Sequence, residues 1–341
     1  MDNSIDNPRV TTRINLQFQG FWPGFDEKSF WMTRLLEESF TVARKEPADL
    51  IIFSDGVQST PSSSAIKIYY TFENLVPNFQ HCDWAFTFLY TDCFPDPRNM
   101  RHFGPIQSKE AADSLLLKNK IHRHNFEREK FCNFIFSHET PFRNWFFSQL
   151  SKYKKIDAPG RAMNNCPPIE PVPEGAVRNA HFFSGSWIED KIAYQQNYKF
   201  AIAFENATNP GYTTEKIHHA MEAGCIPIYW GDPLIHHEFN EKSFVNFHHY
   251  ERIASFLLPG CSKRLHDSNR SVDRLGRFLA TRLTIRRVVE LDRSPKKYRQ
   301  CLNQPWYVND TPLYESRKLL IQNRLNTIAT EAIQRRQGQT R

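Results

Sequence analysis

The sequence lacks several features that would class a protein quickly. Its seven cysteines contain no C-x-x-C pair, which removes the common zinc and dithiol motifs. No apolar run approaches the ~18 residues of a membrane-spanning helix, and Met1 to Val10 carries no apolar signal core, so neither spanning nor secretion is expected. No RNP1, zinc-finger or homeodomain pattern accompanies the basic charge, so nucleic acid is not the expected partner. Fixed-period repeats and low-complexity tracts are also missing. The cysteines, Cys82, Cys93, Cys132, Cys166, Cys225, Cys261 and Cys301, are expected to be reduced core thiols of a cytoplasmic protein.

What remains is a chain of 341 residues, 40% hydrophobic and 24% charged, long enough for about two globular domains. Phenylalanine is abundant, at 28. The 44 basic residues exceed the 37 acidic ones, giving a net charge of +7. Such an excess serves an anionic partner, such as a nucleotide diphosphate or an acidic membrane surface, or is a solvated face with no partner.

Short apolar runs alternate with helical patterns in the first half. Arg13 to Phe18, Asp49 to Phe53, Ile66 to Thr71, Trp84 to Tyr90 and Phe131 to Phe136 read as strands; Glu27 to Phe40, Lys109 to Lys120 and Pro141 to Leu150 read as helices, the last behind a Thr140 cap. This rhythm predicts an α/β fold with parallel sheets covered on both faces. A Pro/Gly/Asn-rich stretch from Asp157 to Gly175 marks the expected boundary between a first domain, 1–158, and a second, 159–310. Residues 311–341 form an amphipathic, basic helical tail, expected either to pack on a domain or to touch the inner face of an anionic membrane.

Chemistry concentrates between Lys199 and Gly231. An apolar strand, Phe200 to Phe204, runs through Glu205 and Asn206 into a Pro210-Gly211 turn, and a helix then opens behind Thr213 or Thr214 and stops at Gly224. A helix N-terminus at the carboxyl edge of such a sheet favours a diphosphate. Lys216 in the first turn is unfavourable against the helix dipole unless an anion lies near. Glu215, about 100° around the helix, is placed to accept hydrogen bonds from ribose hydroxyls. Adjacent pairs such as His218-His219 point to different faces and make poor metal sites, and no D-x-D string lies near the segment.

The string Phe-Glu-Asn (Phe204 to Asn206), Tyr212 before Thr-Thr-Glu-Lys, and Ala223 to Gly231 closely resembles the donor signature of the α1,3-fucosyltransferases, glycosyltransferase family 10. Tyr70-Thr71-Phe72-Glu73-Asn74, Pro141-Phe142-Arg143-Asn144 and Ile156 to Arg161 resemble further motifs of that family in its order, so the likeness runs over about residues 66–250. The resemblance implies two Rossmann-like doubly wound domains facing a cleft, the GT-B type. It implies inverting transfer of L-fucose from GDP-fucose to an N-acetylglucosamine-containing, lactosamine-type glycan, possibly lipid-linked, without a metal or other cofactor. Glu73 would be the general base, partly desolvated by Tyr70 and Phe72. Arg143 and Lys216 would hold the diphosphate, Glu215 the ribose, and Asn206 and Tyr212 the donor pocket. Glu205 is expected to be structural or to touch fucose, while Asn74 and Trp22 would face the acceptor.

Overall fold

The computed structural model describes residues 12–56, 64–117, 119, 128–169, 186–258 and 271–339. The chain divides into two compact units, one running to Phe103 and resuming at Glu315, the other spanning Gly104–Tyr314.

The first unit is built on six parallel strands: β1 Arg13–Gln19, β2 Thr41–Ala43, β3 Leu50–Phe53, β4 Ile66–Tyr70, β5 Trp84–Thr87 and β6 Asn99–Arg101, in spatial order β2-β1-β3-β4-β5-β6. β3 is apolar throughout and wholly buried, as a parallel strand covered on both faces must be. β4 alternates, burying Ile66, Ile68 and Tyr70. Helix α1 covers only Trp31–Glu37 of the expected 27–40. Its start is delayed because the Asp26 carboxylate accepts from Lys28 N at 3.0 Å and holds a turn.

In the second unit five parallel strands, β7 Lys130–Asn133, β8 Ile156–Asp157, β9 Tyr198–Phe204, β10 Ile226–Trp230 and β11 Val245–Asn246, lie in the order β8-β7-β9-β10-β11. The described helices are α2 Lys109–Ser114, α3 Pro141–Ser151, α4 Ser186–Gln195, α5 Glu215–Glu222, α6 Phe247–Leu257, α7 Ser271–Arg293 and α8 Pro295–Leu302. Thr140 caps α3 as expected, its Oγ1 accepting from Arg143 N at 3.4 Å. The core is strongly aromatic, with Phe134, Phe142, Phe146, Phe204, Trp230 and Phe247 packed at stacked or edge-on angles.

The units divide at Phe103 and Tyr314, away from the boundaries read from composition. The stretch at 157–175 is not the break, because β8 pairs with β7 and Asn165 clasps Ala158 N and Ile156 O through its side chain; residues 170–175 lie outside the described residues. The tail packs on a unit, one of the two outcomes expected for it. Helix α9, Tyr314–Gln339, buries Ile321, Leu325, Ile328 and Ala329 completely in the first unit. Its side chains bond that unit: Gln322 to Leu35 O at 2.7 Å, Arg324 to Pro97 O at 2.6 Å and Arg336 to Asp49 at 2.7 Å. Leu319 and Leu320 of the same helix remain exposed.

Among the described residues no helix is long and apolar enough to cross a membrane. Among the described residues Cys82, Cys132, Cys225 and Cys301 are buried as expected, but Cys93 is exposed and Cys166 half-buried, and Cys261 lies outside the described residues.

Candidate active site

Both sheets reverse their strand order once, at β1/β3 and at β7/β9. Crossovers on either side of such a reversal leave a crevice beyond the carboxyl ends of the two strands, the usual ligand position in open α/β sheets. In the second unit the segment after β7 carries His138 and the segment after β9 begins with Glu205. Arg143, at the start of α3, joins them: its guanidinium donates to His138 O at 3.2 Å and to Phe204 O. A cavity of about 740 Å³ opens at this edge, lined by His138, Gly160, Arg161, Asn164 and Trp187 among others.

Glu205 is wholly buried and organises the strand-to-helix turn. Its carboxylate accepts from Thr214 N at 2.8 Å, Thr214 Oγ1 at 2.6 Å and Lys216 Nζ at 3.0 Å. Lys216 also donates to Thr214 Oγ1 at 2.7 Å and stands 3.7 Å from Glu215 Oε1. Burial works to lower the Lys216 pKa, but Glu205 and Glu215 outweigh it and hold the ammonium above the ordinary lysine value. Burial likewise opposes ionisation of Glu215, yet Lys216 and Lys191 outweigh it and keep the carboxyl well below the usual range. Thr214 is the N-cap residue of α5 but makes no side-chain cap bond, because its hydroxyl is turned to Glu205. The first turn therefore does not receive the threonine cap expected of it. Gly224 ends the helix at φ +72°, its N–H bonded to Met221 O at 2.8 Å.

Asp232, which sequence reasoning passed over, pins the other side of the turn. It accepts from Gly211 N at 2.7 Å, Thr213 Oγ1 at 3.2 Å and Leu234 N at 2.8 Å. Gly231 beside it is required by close approach: a Cβ there would lie 2.3 Å from Glu205 Cγ. Lys191, also missed, reaches in from α4. The only sequence signal for either was proximity to the donor segment.

The remaining expected residues separate into groups. Tyr212 is buried at 2% exposure, and Asn206 is exposed just past Glu205. Arg143 is 1% exposed, and the bonds to His138 O and Phe204 O occupy its guanidinium, with Nε lacking a partner among the described residues. That geometry makes Arg143 a buried cation fixed to backbone. Burial also pulls its pKa down, against the fields of Glu205 and Tyr212.

In the first unit Trp22 follows β1 at the strand-order reversal, 44% exposed within an aromatic group of Phe21 and Phe25. Glu73 follows β4 and is exposed. Thr71 Oγ1, donating to Asp55 at 2.6 Å, accepts from Glu73 N at 3.1 Å and fixes that backbone; Asn74 is half-buried beside it. The expected desolvating neighbours are engaged elsewhere, Tyr70 against Phe21 and Phe30, and Phe72 stacked on His102. Among the described residues no group of three or more His, Cys, Asp or Glu side chains is placed to hold a metal.

Two parallel-sheet α/β units with a cation-bearing helix start beyond one switch point define the GT-B class of glycosyltransferase fold. Residues 16–103 match the α-(1,3)-fucosyltransferase FucT N-terminal domain, and residues 126–259 match the C-terminal part of glycosyltransferase family 10 (fucosyltransferase), together more than half the chain. The chain belongs to glycosyltransferase family 10. It is 31% identical over 223 residues to an α-(1,3)-fucosyltransferase FucT of Helicobacter pylori, covering 58% of this chain and 46% of that protein. Less than half the length of the curated relatives it matches is spanned. A crystal structure of α1,3-fucosyltransferase superposes with a TM-score of 0.66 at 21% identity, over 95% of this chain and 92% of the other. One with GDP-fucose superposes at 0.61 and 20% identity, over 94% and 92%.

Proposed function

We propose that this protein transfers L-fucose from GDP-β-L-fucose to a hydroxyl of an N-acetylglucosamine-containing glycan, forming an α1,3 linkage with inversion. The observation that carries the reading is the lysine seated at a helix start: Lys216, bonded to buried Glu205 in the first turn of α5, is a fixed cation at a helix N-terminus whose N-cap threonine makes no side-chain cap bond. A leaving diphosphate needs that pairing of point charge and helix dipole. Arg143 adds its field from behind, Glu215 accepts from the ribose, and Asn206 and Tyr212 shape the pocket. Glu205 acts by holding Lys216 and Thr214.

In the reaction the acceptor oxygen bonds to the anomeric carbon as the bond from that carbon to the β-phosphate oxygen breaks. The electron pair leaves with GDP, and the hydroxyl proton passes to the Glu73 carboxylate. Fixed cations neutralise the diphosphate, so the reaction is proposed to need no metal. Trp22 and Asn74, near Glu73 in sequence or at the same sheet's switch point, are assigned to the acceptor. A lipid-linked acceptor and a cytoplasmic location belong to the same proposal.

The test combines thermal shift with an acceptor assay. GDP should raise the melting temperature by mass action where UDP does not, and a panel of lactosamine and type 1 acceptors with GDP-fucose, with and without chelator, should give α1,3-fucosylated product in both conditions. Stabilisation by UDP instead of GDP would point to another nucleotide sugar.

A further inference from the structure

Lysine is seldom buried unless it is paired, yet Lys191 is 8% exposed on the inner stripe of α4, where Ile188 and Gln195 share its face at i−3 and i+4. Its ammonium lies 3.2 Å from His219 Nδ1 and 3.9 Å from Glu215 Oε1. Glu215 and His219 stand four apart on α5 and so present one face to α4. Lys216 approaches the same carboxylate oxygen, Oε1, at 3.7 Å. Two ammonium groups from two helices thus converge on one oxygen.

We infer that Lys191 is a positioning residue for donor recognition: anchored on His219, it holds the Glu215 carboxylate by Oε1 and leaves Oε2 to accept from the ribose of the nucleotide. The inference rests on the proposed role of Glu215 toward the ribose. A charged Lys191 can only donate, so His219 Nδ1 accepts and the ring is neutral. Burial, with the charge of Lys191, holds the His219 pKa well below its ordinary value, in keeping with that assignment. Lys191 itself touches no substrate in this scheme. It restricts the rotamers of a glutamate that Lys216 alone, already bonded to Glu205 and Thr214, would leave free to turn.

Titration of the full chain with GDP and with 2′,3′-dideoxy-GDP separates this role from a merely structural one. Wild type should prefer GDP by at least about tenfold, as expected for hydrogen bonds to a carboxylate. Lys191→Gln should reduce the preference below about threefold and raise KM for GDP-fucose, with kcat changed less. Lys191→Arg, which keeps the charge, should restore it. A structural role would weaken both nucleotides alike and leave the preference intact. No preference in wild type would refute the ribose role of Glu215; a preference in wild type that persists in Lys191→Gln would refute Lys191 alone. Should Lys191→Gln not fold, His219→Leu removes the anchoring ring nitrogen, and an unchanged preference there overturns the inference equally.

Discussion

Replacing Gly231 by alanine adds one methyl group, and its consequence can be worked out from contacts. The new Cβ would lie 2.3 Å from Glu205 Cγ, 2.8 Å from Glu205 Cβ and 2.9 Å from Tyr229 Oη. Carbon pairs settle near 3.5–4.0 Å, so Glu205 must retreat by roughly 1 Å or more. Its bonds to Thr214 and Lys216, now 2.6 to 3.0 Å, would then pass beyond the ~3.5 Å at which a hydrogen bond ends. Overpacking costs about 1–3 kcal/mol, and weakened bonds to a buried carboxylate add about 1–3 kcal/mol more. A combined loss of about 2–6 kcal/mol lowers the melting temperature of a unit this size by roughly 4–24 °C. Calorimetry reads the melting temperature, and titration with GDP should show weaker binding because Lys216 loses its seat. A Gly231→Ala protein that melts within about 1 °C of wild type and binds GDP equally would refute the placement of Glu205 beneath the donor site.

Three further outcomes are expected. Glu73→Gln should leave GDP binding intact and lower turnover by about 10² to 10⁴, the usual loss of a general base; unchanged turnover removes Glu73 from the chemistry. Glu215 is held ionised below its unfolded value, so its stabilising contribution is present above the ordinary carboxylate range and lost as pH falls through the lower folded value. Melting curves from pH 7 to 3 should therefore fall less steeply below about pH 4.5 for Glu215→Gln than for wild type. Leu325→Ala, at a fully buried position of α9, should cost about 2–5 kcal/mol of stability, and denaturation unchanged by it would show the helix to be dispensable for the first unit.

Periodicity alone located the elements with long, uniform patterns. β3 and the Phe200 to Phe204 part of β9 are continuous apolar runs, and α3 carries both a Thr cap and a Pro at its start, so each announces itself locally. The two- and three-residue strands β2, β6, β8 and β11 do not, because they are strands only by pairing with a longer neighbour. The division at Phe103 also had no compositional sign, whereas the conspicuous Pro/Gly stretch proved to adjoin a sheet edge. The site shows the same limit. Glu215 and Lys216 were legible from their place at a helix start, a property of adjacent residues. Asp232, Lys191 and the bonds of Arg143 join elements distant in sequence, and no local pattern records such meetings.

The return of α9 to the first sheet has a consequence for biosynthesis. Ribosomes release the second unit as one uninterrupted stretch, able to acquire its tertiary structure on emergence. The first unit must instead wait, with the surface destined for Ile321, Leu325 and Ile328 uncovered, until α9 has been translated. Maturation of these two units therefore runs against their order in the message: the unit begun before Gly104 is completed only after the other.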